Sequence, residues 1–109
     1  MKLESLKKTY QFDRVYRRGK SHGNRELVMY VLANKKNKNF FGIVTNKKIG
    51  KSVKRNRIKR QIKAFIQLKN NIKTGYDIII LVRPTTELLD YQTIAKSTAY
   101  LLKKHGLLI

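Results

Sequence analysis

Cysteine is absent from the 109 residues, which excludes disulfides and cysteine-based zinc sites and fits a reducing compartment. The two histidines, His22 and His105, are too few for a histidine metal cluster. Only six acids are present: Glu4, Asp13, Glu26, Asp77, Glu87 and Asp90. They are scattered and sit mostly at element ends, so no pair reads as the carboxylates a metal-dependent nuclease requires. With two histidines, no Ser-His-Asp set emerges either. The longest apolar run, Ile78 to Val82, is five residues, far short of a membrane span. The start MKLESLKK lacks the apolar stretch of a signal peptide. These absences lead to the expectation of a cytoplasmic protein with no membrane association and no catalytic residues of its own.

What is abundant is positive charge. Lys and Arg number 26, for a net charge of +20 and a pI near 10.6. Such a balance says little about fold and much about partners, which are polyanions and most often nucleic acid. The charge is densest in KKIGKSVKRNRIKRQIKAFI, Lys47 to Ile66, where nine Lys or Arg fall between Lys47 and Lys63 without one acid. No internal salt bridge relieves that repulsion.

Length and a 41% hydrophobic content set a single domain, residues 1–109. Phe12, Val15 and Tyr16 recur at i, i+3, i+4 and predict a helix over Thr9–Arg18, stopped by Gly19. Branched and aromatic residues predict strands over Glu26–Ala33 and Phe40–Asn46, read as an antiparallel hairpin. Tyr30 shares a strand face with Val28 and Leu32, away from Met29 and Val31. A helix follows from Val53 to about Asn71, with Ile58, Ile62, Phe65 and Ile66 forming its apolar stripe. Tyr76–Arg83 is a strand with both faces apolar, as central or parallel strands are, and Pro84 ends it. Asp90 caps a last helix in which Tyr91, Ile94, Ala95, Thr98, Leu101 and Leu102 share a face before Gly106. The fold class is therefore α+β, a small single-domain α/β sandwich of order α-β-β-α-β-α.

On a helical wheel, Asn56, Lys59, Arg60 and Lys63 lie within about a quarter-turn, opposite the apolar face, with Arg57 to one side. Lys54 and Arg55 occupy the first turn, where positive charge opposes the helix dipole. Gly50, Lys51 and Ser52 lead into exposed N–H groups that suit a phosphate. These local costs are recovered when an anion occupies the face. The element just before Val53 is the Phe40–Asn46 strand and not the first helix of a helix-turn-helix reader, so RNA, gripped by phosphate contacts and by aromatics on a sheet, fits better than DNA. Phe12, Tyr16 and Tyr30 are placed either for stacking or as core residues holding helix to sheet, with Phe12 suiting both equally; Tyr16 and Tyr30 carry hydroxyls that favour a wettable surface. Charge and size alone also suit a structural ribosomal protein or a DNA-binding nucleoid protein.

The run from Lys47 to Ile66, with Arg55-Asn56-Arg57 followed by Ile58-Lys59-Arg60, resembles the signature of the bacterial ribonuclease P protein subunit. The Phe-x-x-Val-Tyr-x-x-Gly segment, Phe12 to Gly19, and the order of elements extend the resemblance over nearly the whole chain. The resemblance implies a left-handed βαβ crossover through the signature helix. It also implies a ribonucleoprotein in which the RNA catalyses hydrolysis at the mature 5′ end of precursor tRNA. The partners implied are the ribonuclease P catalytic RNA and precursor tRNA, with no obligate protein partner. The cofactor is the Mg2+ of the RNA active site; none is expected on the protein alone, and no metal ligand is assigned. Carried over residue by residue, Lys51, Lys54, Arg55, Arg57 and Arg60 contact the RNA subunit. Phe12, Tyr16 and Tyr30, with Asn56, Lys59 and Lys63, form a cleft for the single-stranded 5′ leader. Tyr16 stands where Phe is common in the family, and Lys63 where Arg is frequent, which gives up bidentate phosphate geometry but not charge.

Overall fold

The computed structural model describes residues 4–84 and 90–109. Glu87, and Lys2 of the N-terminal basic run, lie outside them. The elements are β1 (Glu4–Ser5), α1 (Thr9–Arg18), β2 (Lys20–Gly23), β3 (Leu27–Ala33), β4 (Phe40–Val44), α2 (Ser52–Leu68), β5 (Tyr76–Val82) and α3 (Tyr91–Lys104). A 3-10 turn over Lys47–Ile49 precedes α2. The expected order of helices and long strands is present. The two short strands β1 and β2 are additions, too brief to leave a periodic signal.

The five strands run β1-β4-β5-β3-β2 across the sheet. This corrects the expected hairpin: β3 and β4 do not pair, because β5 lies between them, antiparallel to β3 and parallel to β4. The physical reason is in β5 itself. Ile78, Ile79 and Ile80 are successive and fully buried, so both faces of the strand must be covered. Only a central position does this, and it also pairs both edges of its backbone. Parallel β4 and β5 need a long crossover, which α2 supplies.

Met29, Ile78 and Ile80 point to the face covered by α2 and α3, where they meet Ile58, Ile62, Ile66, Ile94 and Leu101. The opposite face carries Leu6, Val15 and Ile79, flanked by Phe12, Tyr30, Leu32, Phe40 and Val44. Here α1 is the covering helix, and its 10 residues leave much of that face half-buried. Phe65 is only partly buried at the margin of the core, and Tyr91 is exposed rather than part of the α3 core stripe.

Helix ends follow their residues. Asp90 accepts a hydrogen bond from the Thr93 N–H at 2.7 Å. At the other end of α3, Gly106 adopts φ 72°, and the Gly106 and Leu107 N–H groups donate to the Lys103 and Leu102 carbonyls. That pair of bonds is a Schellman closure, which needs a residue free to take positive φ. The second helix ends at Leu68, before the expected Asn71. Beyond it, Ile72 bridges to Leu108 instead of extending the helix. Among the described residues, no helix is long and apolar enough to cross a membrane.

Candidate nucleic-acid interface

The Phe-x-x-Val-Tyr-x-x-Gly segment acquires a role at each position. Val15 is completely buried between α1 and the sheet. One turn earlier, the Phe12 ring lies on the backbone of Gly42 in β4, so close that a Cβ there would stand 2.5 Å from Phe12 Cε1. Gly19 lets the end of α1 approach β3: a Cβ on it would stand 2.6 Å from the Val15 carbonyl oxygen and 2.9 Å from that of Val31. Tyr16 meets Tyr30 edge to face, with ring centroids 4.8 Å apart and planes at 83°. Burial, and secondarily the neighbouring Tyr30, push the Tyr16 phenol above its ordinary pKa of 10.0, so the Tyr16 ring is a neutral hydrogen-bonding group near pH 7.

An ion pair fixes α1 in place. Asp77, buried in β5, accepts from Arg14 Nη2 and from Asn34 Nδ2, each at 3.0 Å. This acid is structural, held by a helix residue and a loop residue at once.

The signature helix presents a different surface. Ile58, Ile62 and Ile66 are buried, as their spacing predicts. Lys51, Asn56, Arg57, Arg60 and Lys63 are exposed, while Lys54, Arg55 and Lys59 are half-buried. The N-cap Lys51 makes no side-chain cap and no acid stands in the first turn, so the leading N–H groups have no capping side chain. Gly50 sits at φ 132°, with the Lys54 stem passing 3.2 Å from where a Cβ would be. Among the described residues, the salt bridges are Arg14–Asp77 and Lys38–Glu4; neither involves α2. Among the described residues, no acid is paired with its positive charge.

The two surfaces meet at the open edge of β4 beyond the short β1. A cavity there is lined by Leu6, Phe12, Phe41, Gly42, Lys59 and Lys63. Phe12 from α1 is thus brought to Lys59 and Lys63 from α2, although they are 47 and 51 residues apart in sequence. Tyr16 and Tyr30 continue the aromatic surface on the α1 face but do not line the cavity, and neither does Asn56.

Two participants escaped sequence reading. Phe40 adds a further ring on the same face, with Lys36 Nζ 4.9 Å and Lys38 Nζ 5.8 Å from its centroid. Gly42 is the seat of Phe12; a glycine inside an apolar strand was the available signal. Among the described residues, no three His, Asp or Glu side chains converge as a metal site.

Known proteins resemble this chain in sequence and fold. The Ribonuclease P family model matches residues 1–106. The chain is 44% identical over 109 residues to a ribonuclease P protein component of Clostridium botulinum, covering 98% of each. It is 44% identical over 104 residues to that of Caldanaerobacter subterraneus, covering 94% of this chain and 90% of the relative. Among solved structures, the Staphylococcus aureus RNase P protein superposes with a TM-score of 0.90 at 33% identity, covering 99% and 100% of the two chains. The Thermotoga maritima protein superposes with a TM-score of 0.82 at 29% identity, covering 93% and 96%. With the family model spanning nearly every residue and the fold shared along its full length, the chain belongs to the ribonuclease P protein family.

Proposed function

We propose that this chain acts in the cytoplasm as the protein subunit of ribonuclease P and divides its RNA contacts between two surfaces. The exposed side of α2, with Lys51, Lys54, Arg55, Arg57 and Arg60, docks on the catalytic RNA. The cleft formed by Phe12, Tyr16 and Tyr30, with Asn56, Lys59 and Lys63 along the helix, receives the single-stranded 5′ leader of precursor tRNA. Hydrolysis of the phosphodiester belongs to the RNA, whose active site holds Mg2+. The protein lowers the magnesium requirement by supplying positive charge where two polyanions must approach.

The observation that carries this reading is the cavity joining Phe12 to Lys59 and Lys63. A ring and two ammonium groups at one opening suit a nucleotide strand, the base stacking while its phosphates meet the lysines. Arginine on the outer helix suits the bidentate grip of a folded RNA backbone.

Reconstitution with a bacterial ribonuclease P RNA tests it. Adding the protein at limiting Mg2+ is expected to restore 5′ cleavage of precursor tRNA, and the holoenzyme is expected to bind precursor more tightly than mature tRNA. Unchanged cleavage would refute the subunit role, and equal affinities would refute the leader cleft.

A further inference from the structure

The third helix carries a second one-signed stripe that the roles above leave unused. Lys96, Tyr100, Lys103 and Lys104 are exposed, at spacings of four, seven and eight residues, and fall on one side of α3 opposite its buried Ile94, Thr98 and Leu101. Beyond its cap Asp90, α3 contains no acid, so no pair along the helix neutralises the lysines. Glu26, which reaches α3, bonds to Ser97 on the buried side.

Tyr100 is 51% exposed, on the same side of α3 as the lysines. Lys104 Nζ lies 5.7 Å from its ring centroid and 3.5 Å from its hydroxyl. A solvent-facing ring set among lysines is the arrangement that stacks a base while phosphates are gripped on either side. The end of the helix lies beside β2, where the His105 ring meets that of His22 with centroids 4.6 Å apart. The stripe from Lys96 to Lys104 is about 12 Å long, the reach of a few successive phosphates.

Position selects the occupant. The helices α2 and α3 pack side by side on the face of the sheet opposite α1; α2 reaches the leader cleft with Lys59 and Lys63, whereas α3 lies over β3 and β2, at the other end of the sheet from β4. We propose that the outer face of α3 is a second docking surface for the catalytic RNA, with Lys96, Lys103 and Lys104 on phosphates and Tyr100 against a base. The inference rests on the subunit role proposed above and extends the RNA-facing surface from one helix to two.

The test is filter binding of a bacterial ribonuclease P RNA across a KCl series, using the full chain. Lys96→Gln/Lys103→Gln/Lys104→Gln is expected to weaken binding at least roughly fivefold. It should also flatten the log–log salt slope by about 2–3, since each phosphate neutralised contributes about 0.7–0.9 to that slope. Tyr100→Leu is expected to weaken binding with the slope unchanged. A charge-matched control, Lys7→Gln/Lys8→Gln/Lys35→Gln, changes residues outside the α2–α3 layer and is expected to cost far less. Equal weakening by the two triple variants would overturn the proposal, because net charge would then explain the effect. Arg57→Ala separates the two levels of inference. If it weakens binding while the α3 triple does not, the α3 surface falls and the subunit role stands; if neither weakens binding, both fall. Circular dichroism melts of each variant confirm that the fold is retained, and Tyr100→Phe, which keeps the ring, is expected to bind like the parent.

Discussion

The Phe12 ring of α1 rests directly on the backbone of Gly42 in β4, at a distance that admits no side chain. The contact sets where α1 crosses the sheet and forms one wall of the cavity shared with Lys59 and Lys63. Gly42→Ala would force the ring away, because the new Cβ would stand 2.5 Å from Phe12 Cε1. A destabilisation of about 1–3 kcal/mol is expected, as for overpacking elsewhere. Phe12→Ala vacates the same wall without a clash and is expected to weaken precursor tRNA binding roughly tenfold, within the about 1–3 kcal/mol that stacking one base contributes. Mature tRNA binding should hardly change in either case. Thermal melts and paired affinities for the two RNAs check both outcomes.

Tyr16 and Tyr30 make a separable prediction. The Tyr16 phenol is held above 10.0 by burial and by Tyr30, so it is among the late tyrosines to ionise. In an ultraviolet titration of the free protein, Tyr16→Phe is expected to remove a component at the alkaline end of the curve. Between pH 6 and 9 the same variant should bind leader like the parent, because the ring and not a phenolate is the contact. Tyr30→Ala is expected to weaken precursor tRNA binding selectively. An early-titrating component missing in Tyr16→Phe would contradict the packing described.

Asp77 anchors α1 and the loop after β3 through Arg14 and Asn34. Because the carboxylate is buried, removing it takes the acceptor from the Arg14 guanidinium and leaves the Asn34 amide only the Lys38 carbonyl. Asp77→Ala is therefore expected to cost about 2 kcal/mol, discounted from a fully buried pair because the Arg14 side chain is 45% exposed. Arg14→Ala is expected to cost less than Asp77→Ala if Asn34 still satisfies one carboxylate oxygen. Chemical denaturation of the two variants distinguishes these magnitudes.

His105 gives stability a pH dependence. Its Nε2 lies 3.0 Å from the Met29 carbonyl oxygen, which makes Nε2 the protonated, donating nitrogen of a neutral ring. Burial lowers its pKa below 6.5, and His22 and Lys20 oppose its protonation, although the bond to Met29 acts the other way. The unfolded chain therefore binds more protons in the window just below pH 6.5, and stability must fall as pH drops through it. Melting temperatures are expected to decline from pH 7.5 to 5.5, with a shallower decline in His105→Gln. A melting temperature independent of pH over that range would overturn the assignment.

The legibility of the chain follows the range of the forces involved. The signature helix is readable because its faces are set by a local period: Ile58, Ile62 and Ile66 are buried, and Arg57, Arg60 and Lys63 exposed, as the wheel requires. The Asp90 cap is equally local. The expected β3–β4 hairpin is absent because neighbours in sequence need not be neighbours in space, and nothing local to either strand registers a competitor. Phe40 is illegible for a related reason, and Gly42 shows only as a glycine inside an apolar strand. An aromatic and a glycine in an apolar strand gain meaning only when the helix that crosses them is known.

Taken alone, the sequence determined the sign and density of the charge, hence a polyanionic partner, and the buried Ile58–Ile62–Ile66 face of the signature helix. Through the signature run it also determined the family. Those properties reside in composition and in spacings of three or four residues, which survive without any knowledge of the fold. The tertiary structure alone decided the strand order and the meeting of Phe12 with Gly42, Lys59 and Lys63. The physical reason is burial: β5, apolar on both faces, takes the centre of the sheet and displaces β3 from β4. The crossover through α2 that this demands brings a basic helix and an aromatic helix to one open edge.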